Sequence, residues 1–127
     1  MKILIIEDQP WLLDMKYWPE GHEYVVAERW DEVPIDDILS FDGVMLDHRL
    51  PGLRGNHVAH RLKEAGYDVA NIVRISSMTE GGYPEGIGPW TGKGTSNRLV
   101  AAILAYLQSD RGEEADQALS QVVYRLY

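Results

Sequence analysis

Four short runs of aliphatic residues recur along the chain and predict strands. They are KILII (residues 2–6), YVVAE (24–28), GVML (43–46) and NIVRIS (71–76). Such runs are apolar on both faces of an extended chain, which is typical of strands buried on both sides in a parallel sheet. The pattern therefore predicts a parallel sheet with helices on its faces.

The segment GNHVAHRLKEAG, residues 55–66, has the spacing of an amphipathic helix. Val58, Leu62 and Ala65 fall on one face, and Gly66 is placed to end the helix. Strand and helix alternate along this part of the chain. We therefore expect an α/β fold with right-handed connections between parallel strands.

Two more helices are predicted near the C-terminus. Thr95 or Ser96 can cap the first, whose apolar stripe consists of Leu99, Val100, Ile103, Leu104 and Leu107. The second follows Gly112, and its apolar positions are Ala115, Ala118, Leu119, Val122, Val123 and Leu126. The second helix is amphipathic and needs an apolar surface to cover.

The segment from Thr79 to Gly94 breaks this pattern because it is rich in glycine and contains two prolines. Both residues disfavour a regular helix. We expect a loop followed by a short strand near residues 89–92.

Length and composition narrow the possible functions. The chain has 127 residues, enough for one domain, and a net charge of −8 that would repel nucleic acids and anionic membranes. It has no cysteine, which excludes disulfides, thiolate catalysis and cysteine-bound zinc. Its N-terminal apolar run is too short for a signal peptide or a membrane span. We expect a soluble, cytoplasmic protein.

Three acidic residues follow two of the predicted strands. Glu7 and Asp8 come after the first strand, and Asp47 comes after the third. Ligands of parallel α/β sheets bind at the carboxyl ends of the strands, so these side chains converge if the two strands are neighbours. Three like charges at one place are costly without a cation, and carboxylate oxygens suit Mg²⁺. We therefore predict a metal site that also receives a phosphoryl group.

A simpler interpretation is that these acids cap helices. Asp8 could cap a helix that starts at Gln9 or Pro10. Capping explains Asp47 less well, because an extended stretch with a turn, HRLPG (residues 48–52), follows it. Both interpretations stay open for each acid taken singly.

Two further polar residues lie at predicted strand ends. Ser76 ends the fourth run, and its hydroxyl could donate a hydrogen bond to a phosphoryl oxygen. Lys93 follows the predicted fifth strand and could supply a positive charge to the same oxygens. Each taken alone is more often a turn residue or a solvated side chain.

Taken in chain order, these residues resemble the receiver domains of two-component response regulators. The matching positions are an acidic pair, an aspartate followed by proline and two glycines, a hydroxyl residue and a lysine, namely Glu7, Asp8, Asp47, Pro51, Gly52, Gly55, Ser76 and Lys93. The resemblance covers residues 1–108 and implies a doubly wound, five-stranded parallel sheet of the flavodoxin-like order 2-1-3-4-5. Residues 109–127 would then be a C-terminal amphipathic helical extension. With no output domain recognisable after it, the receiver would stand alone.

The resemblance implies a role for each acidic residue. Asp47 would accept a phosphoryl group from a phosphohistidine on a histidine kinase or phosphotransfer protein. Asp8 and Asp47 would bind Mg²⁺ directly, with the backbone carbonyl of Arg49 as a third ligand and Glu7 acting through water. We expect a phosphoacceptor that catalyses its own modification rather than a conventional enzyme.

The resemblance also assigns the remaining site residues. Ser76 and Lys93 would hold the phosphoryl oxygens, and Trp90 falls where the family keeps an aromatic that turns inward on activation. A tryptophan in a short strand is otherwise plain core. Output would pass by contact with an unidentified protein, and the resemblance allows a homodimer.

Several features depart from the family pattern. The spacings from Asp8 to Asp47 and from Ser76 to Lys93 are short, and Gly94 replaces the usual proline. We expect a shortened first helix around residues 11–18 and a reduced or missing helix between the fourth and fifth strands. The helix that begins near Glu113 could cover the vacated area or dock on a partner, and the first is favoured because a long exposed apolar stripe promotes aggregation.

Three other functions have weaker support in the sequence. GPWTGKGT (residues 88–95) fails the spacing of a phosphate-binding loop. A hydrolase is the stronger alternative, because LDHR and the later SSM faintly resemble a receiver-like family proposed to process cyclic phosphates, with His48 as general acid or base. His48 is otherwise a surface residue, and His57 and His60 are expected to be solvated. A receiver-like module that binds partners without phosphorylation is the third, and it should not bind Mg²⁺.

Overall fold

The computed structural model describes residues 1–13, 15–75, 81–91, 97–110 and 112–126, without the side chains of residues 12, 97 and 122–126. Within these ranges the chain forms an α/β fold, as the sequence predicts. The predicted caps Thr95 and Ser96 lie outside the described residues.

In the part of the chain that the structure describes, four parallel strands form the sheet. They are β1 (Lys2–Ile6), β2 (Glu23–Ala27), β3 (Gly43–Leu46) and β4 (Ile72–Arg74), in the order β2-β1-β3-β4. In the register, Ile6 pairs with both Ala27 and Leu46, and Leu46 pairs with Arg74. The carboxyl ends of all four strands therefore lie at one edge of the sheet.

The predicted fifth strand is a single parallel bridge between Trp90 and Arg74 within the part of the chain described. The Arg74 N–H donates to the Pro89 carbonyl at 2.9 Å, and the Thr91 N–H donates to the Arg74 carbonyl at 2.9 Å. This bridge occupies the fifth position and keeps the predicted order 2-1-3-4-5.

Four α-helices lie within the described ranges. They are α1 (Ile35–Ile38), α2 (Gly55–Glu64), α3 (Asn97–Gln108) and α4 (Glu113–Leu126). The predicted first helix is reduced to two short 3₁₀ turns, Pro10–Leu12 and Met15–Tyr17. Residues 81–91 contain no helix, which agrees with a reduced helix between the fourth and fifth strands. None of the helices within the described ranges is long and apolar enough to cross a membrane.

Alternate residues of the strands enter two cores on opposite faces of the sheet. One core contains Leu4, Ile6, Val44, Leu46 and Ile72 from the strands together with Ile38 of α1 and Val58, Ala59 and Leu62 of α2. The other contains Ile3, Ile5, Met45 and Val73 together with Leu99, Val100, Ile103, Leu104 and Leu107 of α3. The predicted stripe of α3 is buried, whereas Ala65, which directly follows α2, is only half-buried. A sheet covered on both faces is the doubly wound arrangement.

The C-terminal helix α4 packs against α3 on its own chain. Leu119 is 2% exposed and Ala115 is partly buried in the α3 core, whereas Ala118 is exposed. The other core is contacted by Tyr83 and Ile87, which come from residues 81–91. The expected packing of α4 on its own chain is confirmed, but its described buried residues, Ala115 and Leu119, join the core on the face opposite the reduced helix, so the expectation that α4 covers that area is wrong.

Replacing Leu119 with alanine should lower the free energy of unfolding by about 2–3 kcal/mol, because the side chain is buried between α3 and α4. Urea denaturation of the whole chain measures the change. The exposed residue Gln117 on the same helix provides the control, and Gln117→Ala should change stability by less than about 0.5 kcal/mol. Equal effects of the two substitutions would mean that α4 is not docked.

Candidate functional site

Three carboxyl groups meet where β1 and β3 end. Glu7 and Asp8 follow Ile6, and Asp47 follows Leu46. Ile6 and Leu46 are paired in neighbouring strands of the sheet. One carboxylate oxygen from each of the three lies within 4.8 Å of the others. Glu7 is 2% exposed and Asp47 is 1% exposed, whereas Asp8 is half-buried. The predicted convergence of the three acids is confirmed.

Backbone hydrogen bonds hold these residues in line with the strands. The Glu7 N–H donates to the Ala27 carbonyl at 3.0 Å, and the Asp47 N–H donates to the Ile6 carbonyl at 3.0 Å. Each pair extends the parallel ladder by one residue beyond the strands. The positions of the two buried carboxylates are thus set by the sheet rather than by a flexible loop.

The capping interpretation fails for Asp8. The turn Pro10–Leu12 is preceded by Gln9 as its cap residue, and no side chain caps it. The acids next to Asp8 accept bonds from backbone groups two residues on, with Gln9 N–H to Glu7 Oε1 at 3.2 Å and Arg49 N–H to Asp47 Oδ1 at 3.4 Å. The second is long for a hydrogen bond, so it contributes little to balancing the charge of Asp47.

The donor set fits a hard divalent cation. All three groups are carboxylates, and charges of one sign at this spacing repel unless a cation balances them. Asp8 also lines an open depression with Arg49 and Pro51, which gives solvent access to one side of the cluster. These features suit Mg²⁺, which takes a few carboxylate ligands and retains water.

The glycines of the predicted pattern are explained by the path of the chain after Asp47. Gly52 has φ +83°, a conformation that favours glycine. Gly55 begins α2, and its N–H donates to the His48 carbonyl at 2.8 Å. A Cβ at Gly55 would overlap the Asp47 carbonyl oxygen. The start of α2 therefore packs directly against the backbone of the candidate site.

Ser76 and Lys93 lie outside the described residues, so their roles stay predictions. Arg49 is exposed, and its suggested role as a carbonyl ligand also stays a prediction. Trp90 is half-buried rather than plain core. Its ring lies 5.4 Å from that of Tyr83, at an interplanar angle of 87°.

Sequence reasoning missed Arg74 and Tyr83. The Arg74 guanidinium lies 4.3 Å from the centre of the Trp90 ring and 5.0 Å from that of Tyr83, and its Nε donates to the Gly88 carbonyl at 2.9 Å. Burial lowers the pKa of Arg74, although the neighbouring tyrosines partly oppose this. The sequence feature that could have indicated this cluster is the arginine within the aliphatic run of residues 71–76, because a buried charge needs partners.

His48 is buried, so the expectation of a surface residue is wrong. It is 4% exposed, and its Nδ1 lies 2.9 Å from the hydroxyl of Tyr83. The cluster of possible metal ligands among the described residues contains Glu7, Asp8 and Asp47 but no histidine. The role of His48 as general acid or base of a hydrolase does not depend on metal ligation and stays a prediction. His57 and His60 are exposed, as expected.

Comparison with solved structures places this fold among receiver domains. A putative response regulator from Chloroflexus aurantiacus has a TM-score of 0.66 at 18% identity, over 84% of this chain and 95% of that one. The receiver domain of RstA from Klebsiella pneumoniae, activated with BeF3, has a TM-score of 0.63 at 24% identity, and the match covers 86% of this chain and 100% of that one.

The receiver domain of the sensor histidine kinase PA1611 from Pseudomonas aeruginosa has a TM-score of 0.63 at 17% identity, and the match covers 85% of this chain and 98% of that one. In that structure a magnesium ion is coordinated in the active site cleft. No protein-family model and no curated protein sequence matches this chain. At these identities the comparisons establish the fold: the chain has the fold of a response-regulator receiver domain.

Proposed function

We propose that this chain is a receiver-type phosphoacceptor. Asp47 accepts a phosphoryl group from a phosphohistidine on a histidine kinase or phosphotransfer protein, and the phosphorylated form acts by contact with another protein. The observation that carries the proposal is the position of the Asp47 carboxylate, which is buried within 4.8 Å of Glu7 and Asp8 at the carboxyl edge of a receiver fold.

The chemistry is an in-line displacement at phosphorus. An oxygen of Asp47 forms a bond to phosphorus as the bond from phosphorus to the donor imidazole breaks, and the electron pair stays with the imidazole. The product is an acyl phosphate on Asp47. The sheet fixes the nucleophile through the hydrogen bond from Asp47 N–H to Ile6, so little positional freedom is lost in the transition state.

Charge balance is the main task of the surrounding residues. Mg²⁺ would be held by Glu7, Asp8, Asp47 and the carbonyl of Arg49, and it would neutralise charge on the phosphoryl oxygens. Lys93 and Ser76 would bind the same oxygens, the first as a cation and the second as a hydrogen-bond donor. The three carboxylates alone would repel the incoming phosphoryl group.

The proposal extends to the setting of the protein. We place it in the cytoplasm, with residues 1–108 as the receiver and 109–127 as an extension that packs on it through α4. The net charge of −8 argues against nucleic acid and anionic membranes as partners. A homodimer and an unidentified downstream protein are compatible with this role.

Intact mass after incubation with acetyl phosphate and Mg²⁺ tests the function. The wild type should gain one phosphoryl group that hydroxylamine removes, and Asp47→Asn or EDTA should abolish the gain. Asp36→Asn, which changes an exposed aspartate of α1, should behave as the wild type. No gain from acetyl phosphate or from phosphoramidate, a donor with the P–N bond of phosphohistidine, would overturn the proposal.

A further inference from the structure

We propose that Tyr83 couples the state of the Asp47 site to residues 81–91, through its hydrogen bond with His48 and its contact with Trp90. The inference rests on the proposed function and adds a route by which phosphorylation is communicated. The route is separate from the role predicted for Ser76, and its central residue, Tyr83, is one that the sequence pattern does not single out.

The first link is His48, which follows Asp47 directly in the chain. Its side chain is 4% exposed and lies with Nδ1 2.9 Å from the Tyr83 hydroxyl. Its backbone carbonyl accepts the N–H of Gly55, the first residue of α2. His48 is therefore held both by its side chain and by its backbone, so we expect a displacement of the chain at residues 47 and 48 to be transmitted to Tyr83 or to α2.

The second link is the close approach of Tyr83 to the backbone beside the site. A Cβ built at Gly55 would lie 2.8 Å from the Tyr83 hydroxyl and 2.9 Å from the Cα of His48. Such distances are not tolerated by real side chains, so only glycine leaves room for Tyr83 to reach His48. The residue type at the start of α2 thus serves this contact as well as the packing against Asp47.

The third link connects Tyr83 to Trp90 and Arg74. The Tyr83 ring packs edge-on against Trp90, and the Arg74 guanidinium lies over both rings. Arg74 also binds the Gly88 carbonyl and pairs with Trp90 through the backbone. Arg74 thus joins Tyr83 and Trp90 into one packed group, so a displacement of the Tyr83 ring changes the surroundings of Trp90.

Residues 81–91 are suited to receive such a change. Residues 81–87 contain no helix or strand and include two glycines with positive φ, Gly82 and Gly86, whereas the end of the segment is held to β4 by the backbone bonds of Pro89 and Thr91. A phosphoryl group on Asp47 adds charge and bulk next to His48. Because contiguous packed groups with two arrangements carry coupling between sites, we expect residues 81–91 to differ between the two states of Asp47.

Fluorine NMR of protein labelled with 5-fluorotryptophan tests the coupling. The signal of Trp90 is assigned with Trp90→Phe and followed as Mg²⁺ and beryllofluoride, a mimic of the phosphoryl group, are added. We expect the signal to shift in the wild type, and the shift to fall by about half or more in Tyr83→Phe, which keeps the ring but removes the hydroxyl. The control is Tyr24→Phe, which removes a hydroxyl bonded to the Pro19 carbonyl. In this variant the Trp90 signal should shift as it does in the wild type.

The outcomes separate this inference from the proposed function. Intact mass with acetyl phosphate is measured on the same samples. A wild type that gains no phosphoryl group overturns the proposed function, and the coupling with it. A wild type that gains the group while the Trp90 signal is unmoved, or moves equally in Tyr83→Phe, overturns the coupling alone. His48→Leu removes the other partner of the hydrogen bond, so it should reduce the shift of the Trp90 signal as Tyr83→Phe does.

Discussion

Replacing Gly55 with alanine should lower the free energy of unfolding by about 2–3 kcal/mol and also impair phosphorylation of Asp47. The new Cβ would overlap the Asp47 carbonyl oxygen and approach the Cα of His48 to 2.9 Å. Both are backbone atoms and cannot rotate away. Relief therefore requires α2 to move from the end of β3, which displaces Asp47 and breaks the bond between Gly55 N–H and the His48 carbonyl.

Urea denaturation and intact mass after acetyl phosphate measure the two effects. The matched control is Gly81→Ala, because a Cβ there meets no atom within 4 Å and the backbone of Gly81 has no positive φ. This control should change stability by less than about 0.5 kcal/mol and leave phosphorylation unchanged. If Gly55→Ala unfolded at the wild-type urea concentration, α2 would not begin as close to Asp47 as described.

Most of the sheet and the helix α3 could be predicted because their signals are local. A strand buried on both faces leaves a run of aliphatic residues, and β1 and β3 end where acids begin. The stripe of α3, from Leu99 to Leu107, recurs with the helical period and is buried. The convergence of Glu7, Asp8 and Asp47 then required only that β1 and β3 be neighbours, which the parallel α/β order supplies.

The missed features depend on contacts between distant segments. Tyr83 reaches His48 across 35 positions of sequence, and neither residue belongs to a periodic pattern that shows its partner. A histidine after an acid is ordinary at a surface, so its burial could not be read from the chain. The position of α4 was missed for a similar reason, since an amphipathic pattern requires an apolar surface without saying which one.

Arg74 shows how a departure from a pattern can be informative. It interrupts the aliphatic run of β4, and the structure places its guanidinium over Tyr83 and Trp90. The rings and the Gly88 carbonyl replace part of the hydration that burial removes. Trp90 is therefore half of a packed pair with Arg74, which explains why it is neither plain core nor fully exposed.

Asp8→Asn should have opposite effects on stability with and without Mg²⁺. In EDTA, one of three mutually repelling carboxylates is removed, and a pair of charges at 4.8 Å repels by about 3.5 kcal/mol in an effective dielectric of about 20. Asp8 is half-buried, so solvent screens much of this, and we expect a gain in stability of about 1 kcal/mol. The side chain keeps its size, so packing is unchanged.

With millimolar Mg²⁺ the wild type should become more stable than Asp8→Asn. A cation bound by the folded state alone raises the free energy of unfolding of the wild type, and loss of one carboxylate ligand weakens its binding by about tenfold or more. Urea midpoints of both proteins in EDTA and in Mg²⁺, at matched ionic strength, give the comparison. Glu20→Gln removes the same charge from an exposed site and should show no such reversal. Equal gains from Mg²⁺ in the wild type and in Asp8→Asn would mean that the cation does not bind at the carboxylates, because only that site has lost a ligand.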